Sequence, residues 1–186
     1  MAVYVVAVEL GYPSPPLHDD RVALRAWTLD DTDCVAELST DPRIPAGTTV
    51  PATFTPAAGR EYIERQWSRA DRGEGISMAI HAHDVDRAIG FIVMMLRPQP
   101  GVVGLGYGIV PSARGCGYAS RAATLASTWA IGPGGFARIE AWVEPGNVAS
   151  QAVLLAAGFE AEGRLRSFLG IGAARSDALV YSRIPA

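Results

Sequence analysis

The segment from Val102 to Ala130 constrains the fold more than any other: the apolar run VVGLGYGIV leads through PSARGCGYAS into the small-residue stretch AATLASTWA. The first part has the length and apolarity of a strand, the last has the composition of a helix, and glycines lie between them. A helix that follows its strand so closely packs back onto the sheet, which places the chain among α/β folds. Gly115 and Gly117 stand where the chain must turn sharply, so backbone N–H groups gather in one concavity. A helix N-terminus adds unsatisfied donors and the positive end of its dipole, and glycine lets an anion approach the backbone closely. Arg114 adds a charge-assisted contact, and Ala119, Ala122 and Ala123 keep the first helical turns slim. The loop suits a diphosphate, although two glycines alone fit an ordinary turn equally well. It matches neither G-x-x-x-x-G-K-[ST] nor G-x-G-x-x-G, and the chain contains no lysine, which disfavours a nucleoside triphosphatase.

Around this segment the elements follow in a mixed order. VALRAW (Val22 to Trp27) alternates as a strand, and Thr28 with Asp31 makes a capping-box start for a helix through Ser39. TDPRIPAGTTVPATF reads as a loop, after which Thr55 caps and Pro56 opens a helix to about Arg72. ISMAIHAH and AIGFIVMML, joined by DVDR, read as a hairpin whose second strand is central. ARIEAWV, NVASQAVLLAAGF and DALVYSRI add a strand, a helix and a final strand. The order is roughly β-α-α-β-β-β-α-β-α-β-β, not a repeating βαβ wheel, in one domain over residues 21–186. AVYVVAVELGY, cut off by PSPPLHDD, reads as an N-terminal arm within residues 1–20 that adds an edge strand.

Composition narrows the function. With 186 residues and 49% hydrophobic content the chain fills one core, and a formal charge of -3 argues against a nucleic-acid stripe. Ala2 to Leu10 has no basic residue before it and is too short to span a bilayer, so a cytoplasmic protein without membrane contact is expected. Cys34 and Cys116 lie far apart without a CxxC or CxxH partner and are expected to be free. His81, His83, Asp84 and Asp86 share one hairpin tip, and no further ligands converge there, so no metal is expected.

GYGIVPSARGCGYASRA resembles the acyl-CoA-binding motif of GNAT acetyltransferases, and thirty residues on NVASQAVLLAAGF resembles that superfamily's second motif. EAEGRLRSF, a loop and DALVYSRIP resemble its RimJ/RimL branch, so the similarity covers about Val22 to Pro185. The resemblance implies a strongly twisted six- to seven-stranded mixed sheet flanked by about four helices, with acetyl-CoA or coenzyme A as cofactor. Two positions depart from the pattern: Ser112 stands at the first motif position, and Gly104 replaces an acid common in the branch.

By that resemblance Ile109 and Val110 pair through main-chain groups with the pantetheine arm, while Arg114, Gly115, Cys116, Gly117, Tyr118, Ala119 and Ser120 cradle the diphosphate. Asn147 caps its helix and reaches the pantetheine. Ser150 is the candidate hydrogen-bond donor to the departing thiolate, or else a capping serine. Acyl transfer also needs a base: Glu140 is the candidate, with pairing to Arg138 as its plain alternative, and Tyr107 is the second. The expected function is direct acetyl transfer to a primary amine, on a protein N-terminus or a small molecule. The alternatives are a non-catalytic acyl-CoA-binding module, or succinyl transfer with Arg164, Arg166 and Arg175 at the acyl group. A homodimer is compatible with either. The acceptor is expected opposite the diphosphate, between the Thr55 helix and an Arg164–Asp177 loop, at a mouth carrying Asp41, Glu61, Glu64 and Asp177.

Overall fold

The computed structural model describes residues 10–171 and 174–185. Most of the expected N-terminal edge strand lies outside these residues. From Leu10, which is buried, the chain enters strand β1 (Leu17–His18), paired antiparallel with β2 (Val22–Ala26). Thr28 then caps the next turn as its sequence implies, its backbone N–H donating to Asp31 Oδ2 at 2.8 Å, and helix α1 (Thr32–Leu38) follows. Asp31 is buried against Arg25, whose Nη1 and Nη2 reach its two oxygens at 2.7 and 2.8 Å.

The segment read as a loop contains a short helix, α2 (Arg43–Gly47). Its proline and glycine hid it, yet proline costs little in a first helical turn, where no N–H partner is lost. Helix α3 (Pro56–Asp71) starts at Thr55, whose Oγ1 accepts the N–H of Ala58 at 3.1 Å. Tyr62, Ile63 and Gln66 form its buried face, and Trp67 Nε1 donates to the carbonyl of Trp27 at 2.9 Å.

Strands β3 (Gly75–Ala82), β4 (Arg87–Leu96) and β5 (Val102–Ile109) form an antiparallel meander. Helix α4 (Tyr118–Ile131), β6 (Arg138–Val143), α5 (Val148–Ala156), β7 (Glu160–Ile171) and β8 (Ala174–Arg183) complete the chain. The sheet order is β1-β2-β3-β4-β5-β6-β8-β7, eight described strands with one parallel pair, β5 and β6. β3 is buried along nearly its whole length because helices cover both faces of this part of the sheet, α3 against β3 itself with α1 against β4, and α4 against β2 and β4 on the other side. The expected Arg164–Asp177 loop is instead a long hairpin, β7 against β8. Its register slips between Leu165 and Leu169, where Asp177 accepts Ser167 N–H at 2.7 Å and Arg164 Nε at 2.6 Å. That bulge seats Phe168 edge-on against Trp142, ring centroids 4.6 Å apart.

The central opening follows from strand pairing. β5 and β6 pair only at Val102–Arg138, Val103–Ile139 and Gly104–Glu140. Beyond Gly104, β5 pairs only with β4, and Ala141 to Val143 of β6 pair only with β8. The sheet therefore parts between Leu105–Ile109 and Ala141–Val143, leaving main-chain groups facing a gap.

Candidate active site

Two cavities meet at this gap. One, of about 780 Å³, lies on the α4 and α5 side and is lined by the Arg114–Ser120 turn, Asn147, Ser150 and the end of β5. The other, of about 420 Å³, lies on the α3 side between that helix, β4 and the tip of β7. Tyr107, Glu144, Asn147 and Ser150 line both.

The larger cavity has the features of an anion cradle. Gly115 and Gly117 have φ of +78° and +80°, the left-handed region, and no protein atom lies within 4 Å of where a Cβ would stand on either. Among the described residues nothing accepts the N–H of Tyr118, Ala119 or Ser120, while Arg121 N–H already bonds Gly117 O at 3.2 Å. The first turn of α4 thus directs open donors at the cavity. Side chains brace the loop from behind: Tyr118 Oη donates to Asp84 at 2.6 Å, and Arg21 Nη1 donates to the Cys116 carbonyl at 3.1 Å. Cys116 does not line the cavity, whereas Gly115, Gly117, Tyr118, Ala119 and Ser120 do. Arg114 also lines it and is tied at one edge, its Nε to Ile109 O at 3.1 Å and its Nη1 to Asp41 at 2.7 Å. Hydrogen bonds from Arg43, and then from Arg114, hold the Asp41 carboxyl well below the usual range. Ser112 faces away from the cavity toward Glu37 and Arg87, so the loop tolerates its departure from the motif.

Strand parity corrects one expected contact. Val110 N–H donates to Ile89 O at 2.9 Å and Val110 O accepts Ala113 N–H at 3.1 Å, so both its main-chain groups are taken. The ladder alternates, and the main-chain groups of Tyr107 and Ile109 therefore turn toward the gap. Ile109 and Tyr107 line the cavity wall, and Val110 does not.

Where the cavities join, Tyr107 Oη lies 2.7 Å from Ser150 Oγ and 3.0 Å from Ser150 O. Burial pushes the Tyr107 hydroxyl up to about 12, with the Ser150 bond pulling the other way. Asn147 Oδ1 accepts Ser150 N–H at 3.1 Å, the expected cap, which points the first turn of α5 at Tyr107.

Glu140 is elsewhere. It lines neither cavity, and its carboxylate lies 3.3 Å from Arg97 and 3.2 Å from Arg138. The Arg97 guanidinium stacks 3.6 Å over Trp142 and fills the space beside Gly104, where a Cβ would come within 2.5 Å of it. The acid absent at Gly104 is thus replaced by an arginine, and Glu140 neutralises it. Glu144, missed in the sequence, has no ion pair or side-chain hydrogen bond among the described residues and is the one acid lining the smaller cavity. The signal was available: it directly follows β6, three residues before the Asn147 cap. Glu61 and Glu64 line neither cavity, Asp41 lines the larger, and Asp177 is held by the β7 bulge.

Neither free cysteine lines a cavity, and burial pushes the Cys34 thiol far up. No described helix is long and apolar enough to cross a membrane.

A family model described as Acetyltransferase (GNAT) domain matches residues 21–160. The Uncharacterized N-acetyltransferase p20 of Bacillus licheniformis is 26% identical over 153 residues, spanning 82% of this chain and 86% of that protein. Among solved structures, RimL, a ribosomal L7/L12 alpha-N-protein acetyltransferase in complex with coenzyme A, aligns at a TM-score of 0.78 with 18% identity, covering 91% of this chain and 97% of its own. Mycobacterium smegmatis RimJ, in complex with CoA-disulfide, aligns at 0.76 with 20% identity, covering 91% and 85%.

Proposed function

The chain belongs to the GNAT acetyltransferase family, and from that premise we propose that it transfers an acetyl group directly from acetyl-CoA to a primary amine at the gap between β5 and β6. The observation that carries this reading is the junction itself: a cradle of open amides on one side, a second cavity on the other, and Tyr107, Glu144 and Ser150 between them. The chain fits the donor at the first turn of α4, where two glycines at positive φ leave room and three N–H groups lack partners among the described residues. RimL and RimJ, which share the fold, were solved with coenzyme A or its disulfide. When bound, acetyl-CoA supplies a thioester carbon for the amine to attack.

The residues at the gap divide the proton work. Glu144 takes the proton lost by the amine nitrogen as the new C–N bond forms. Ser150 Oγ gives a proton to the sulfur as the C–S bond breaks, held in place by Tyr107, whose high pKa keeps it neutral. The outward N–H of Tyr107 or Ile109 steadies charge on the carbonyl oxygen. Direct transfer is supported by the absence of either cysteine from the cavity walls. Acetyl rather than succinyl is supported because Arg164, Arg166 and Arg175 line neither cavity.

Thiol release measured with acetyl-CoA across a panel of amines and peptides tests the reading. Release equimolar with acetylated amine is expected, with Glu144→Gln lowering kcat about 100-fold and leaving donor affinity unchanged. Donor binding without amine-dependent release from any acceptor would instead mark a binding module. Glu140→Gln should act on stability, losing about 3 kcal/mol because it leaves the half-buried Arg97 without its carboxylate, while Arg138 keeps Glu162.

A further inference from the structure

The smaller cavity has opposite charges at its two ends. Its lining holds one acid, Glu144, and one base, Arg69. Glu144 sits at the gap with Tyr107 and Ser150. Arg69 lies in the last turn of α3, which packs over β3. The register runs Ser77 to Val93 to Gly106 across β3, β4 and β5. Two strand spacings, about 10 Å, therefore lie between β3, beside the Arg69 end, and the β5 edge of the gap where Tyr107 stands, with Glu144 facing that edge from the end of β6.

The Arg69 end is built rather than incidental. Gln66 is 1% exposed, its Nε2 donates to Tyr62 O at 2.9 Å, and its Oε1 accepts Arg69 Nη1 at 3.1 Å. One edge of the guanidinium is thus fixed by a buried amide. Among the described residues Arg69 makes no carboxylate pair, so its other N–H groups remain for a ligand. Tyr62 lines the same end, and burial drives its pKa up, so it adds a neutral hydroxyl and no competing anion. Between the ends the wall is apolar, with Phe91, Val93, Leu105, Trp142 and Ile171.

We infer that the acceptor is a small zwitterion, a primary amine joined through an apolar body to a carboxylate about 10 Å away, the amine at the β5 edge of the gap facing Glu144 and the carboxylate on Arg69. The inference rests on the proposed acyl transfer and deepens it. A long diamine places a second cation against the guanidinium, and a plain alkylamine leaves Arg69 without its charge-assisted partner.

The test compares ω-aminooctanoate, octylamine and diaminooctane as acceptors, by thiol release and by calorimetric titration into the coenzyme A-loaded protein. The aminocarboxylate is expected to bind at least about tenfold tighter, and to show at least tenfold higher kcat/KM, than either partner, as for a desolvated charge-assisted contact. Arg69→Leu should erase that preference and spare donor affinity, while Arg69→Lys should restore part of it. Equal binding of the three amines, or a preference that survives Arg69→Leu, overturns the inference while leaving acyl transfer standing. Failure of the protein to bind coenzyme A at all overturns the underlying reading instead.

Discussion

Tyr107 Oη donates to the carbonyl oxygen of Ser150 and also lies 2.7 Å from Ser150 Oγ, a contact in which either hydroxyl can be the donor. With one proton each, the two hydroxyls form one short network, and in the proposed transfer that network supplies the proton for the departing sulfur. Two groups acting as one donor have non-additive effects. Tyr107→Phe and Ser150→Ala should each lower kcat by about 10- to 100-fold, with little change in donor affinity, and the double variant should fall no further than the worse single one. Strictly additive losses in steady-state kinetics would show that the hydroxyls act separately. The pKa gives a second check. Because burial raises it, the neutral donor form persists to higher pH, so a pH–rate profile should show no alkaline loss near the ordinary tyrosine value of about 10. At this scale sequence reading singled out Ser150, Asn147 and Tyr107, which line both cavities, since a cap and an aromatic on a glycine-rich strand are local patterns. It misjudged Glu140 and Val110 because ion pairing across strands and ladder parity are set by register. Arg69 and Glu144 were hidden for the same reason: each matters only once α3 and β6 face one cavity.

Among the elements, the turn into α4 was the most legible. Gly117 holds φ +80° with open space where a Cβ would be, so Gly117→Val adds both a strained backbone and a branched side chain facing the amide cradle. Calorimetry should show coenzyme A affinity falling by more than about 100-fold, the combined effect of roughly 1–3 kcal/mol of strain and the lost space, with the fold retained. Unchanged affinity would move the diphosphate elsewhere. β5 carries a second glycine device that sequence alone left unexplained. At Gly108 a Cβ would lie 2.6 Å from Phe91 Cε1, and Phe91 is buried at the wall of the smaller cavity. Gly108→Ala should cost about 1–3 kcal/mol in denaturant unfolding and raise the acceptor KM more than the donor KM. The Arg164–Asp177 stretch of the β7–β8 hairpin and α2 were read as loops, the first because β7 is an exposed edge with little apolar alternation, the second because of its proline and glycine.

For the whole molecule the decisive feature is the parting of one parallel strand pair after Gly104. Everything else follows from what reaches that gap: α4 and α5 from one face, α3 and the β7 tip from the other. Element order and the α/β class were readable from period and turn chemistry, but the place where pairing stops was not, because it depends on the register of strands more than thirty residues apart in sequence. We propose that donor and acceptor approach this gap from opposite faces and react beside Tyr107 and Ser150. A crystal structure of the protein with acetyl-CoA tests it most directly. The diphosphate is expected on the amides of Gly115 to Ser120, the arm between β5 and β6, and the sulfur beside Ser150 Oγ. A diphosphate bound away from that turn, or a thioester that does not reach the gap, would contradict it.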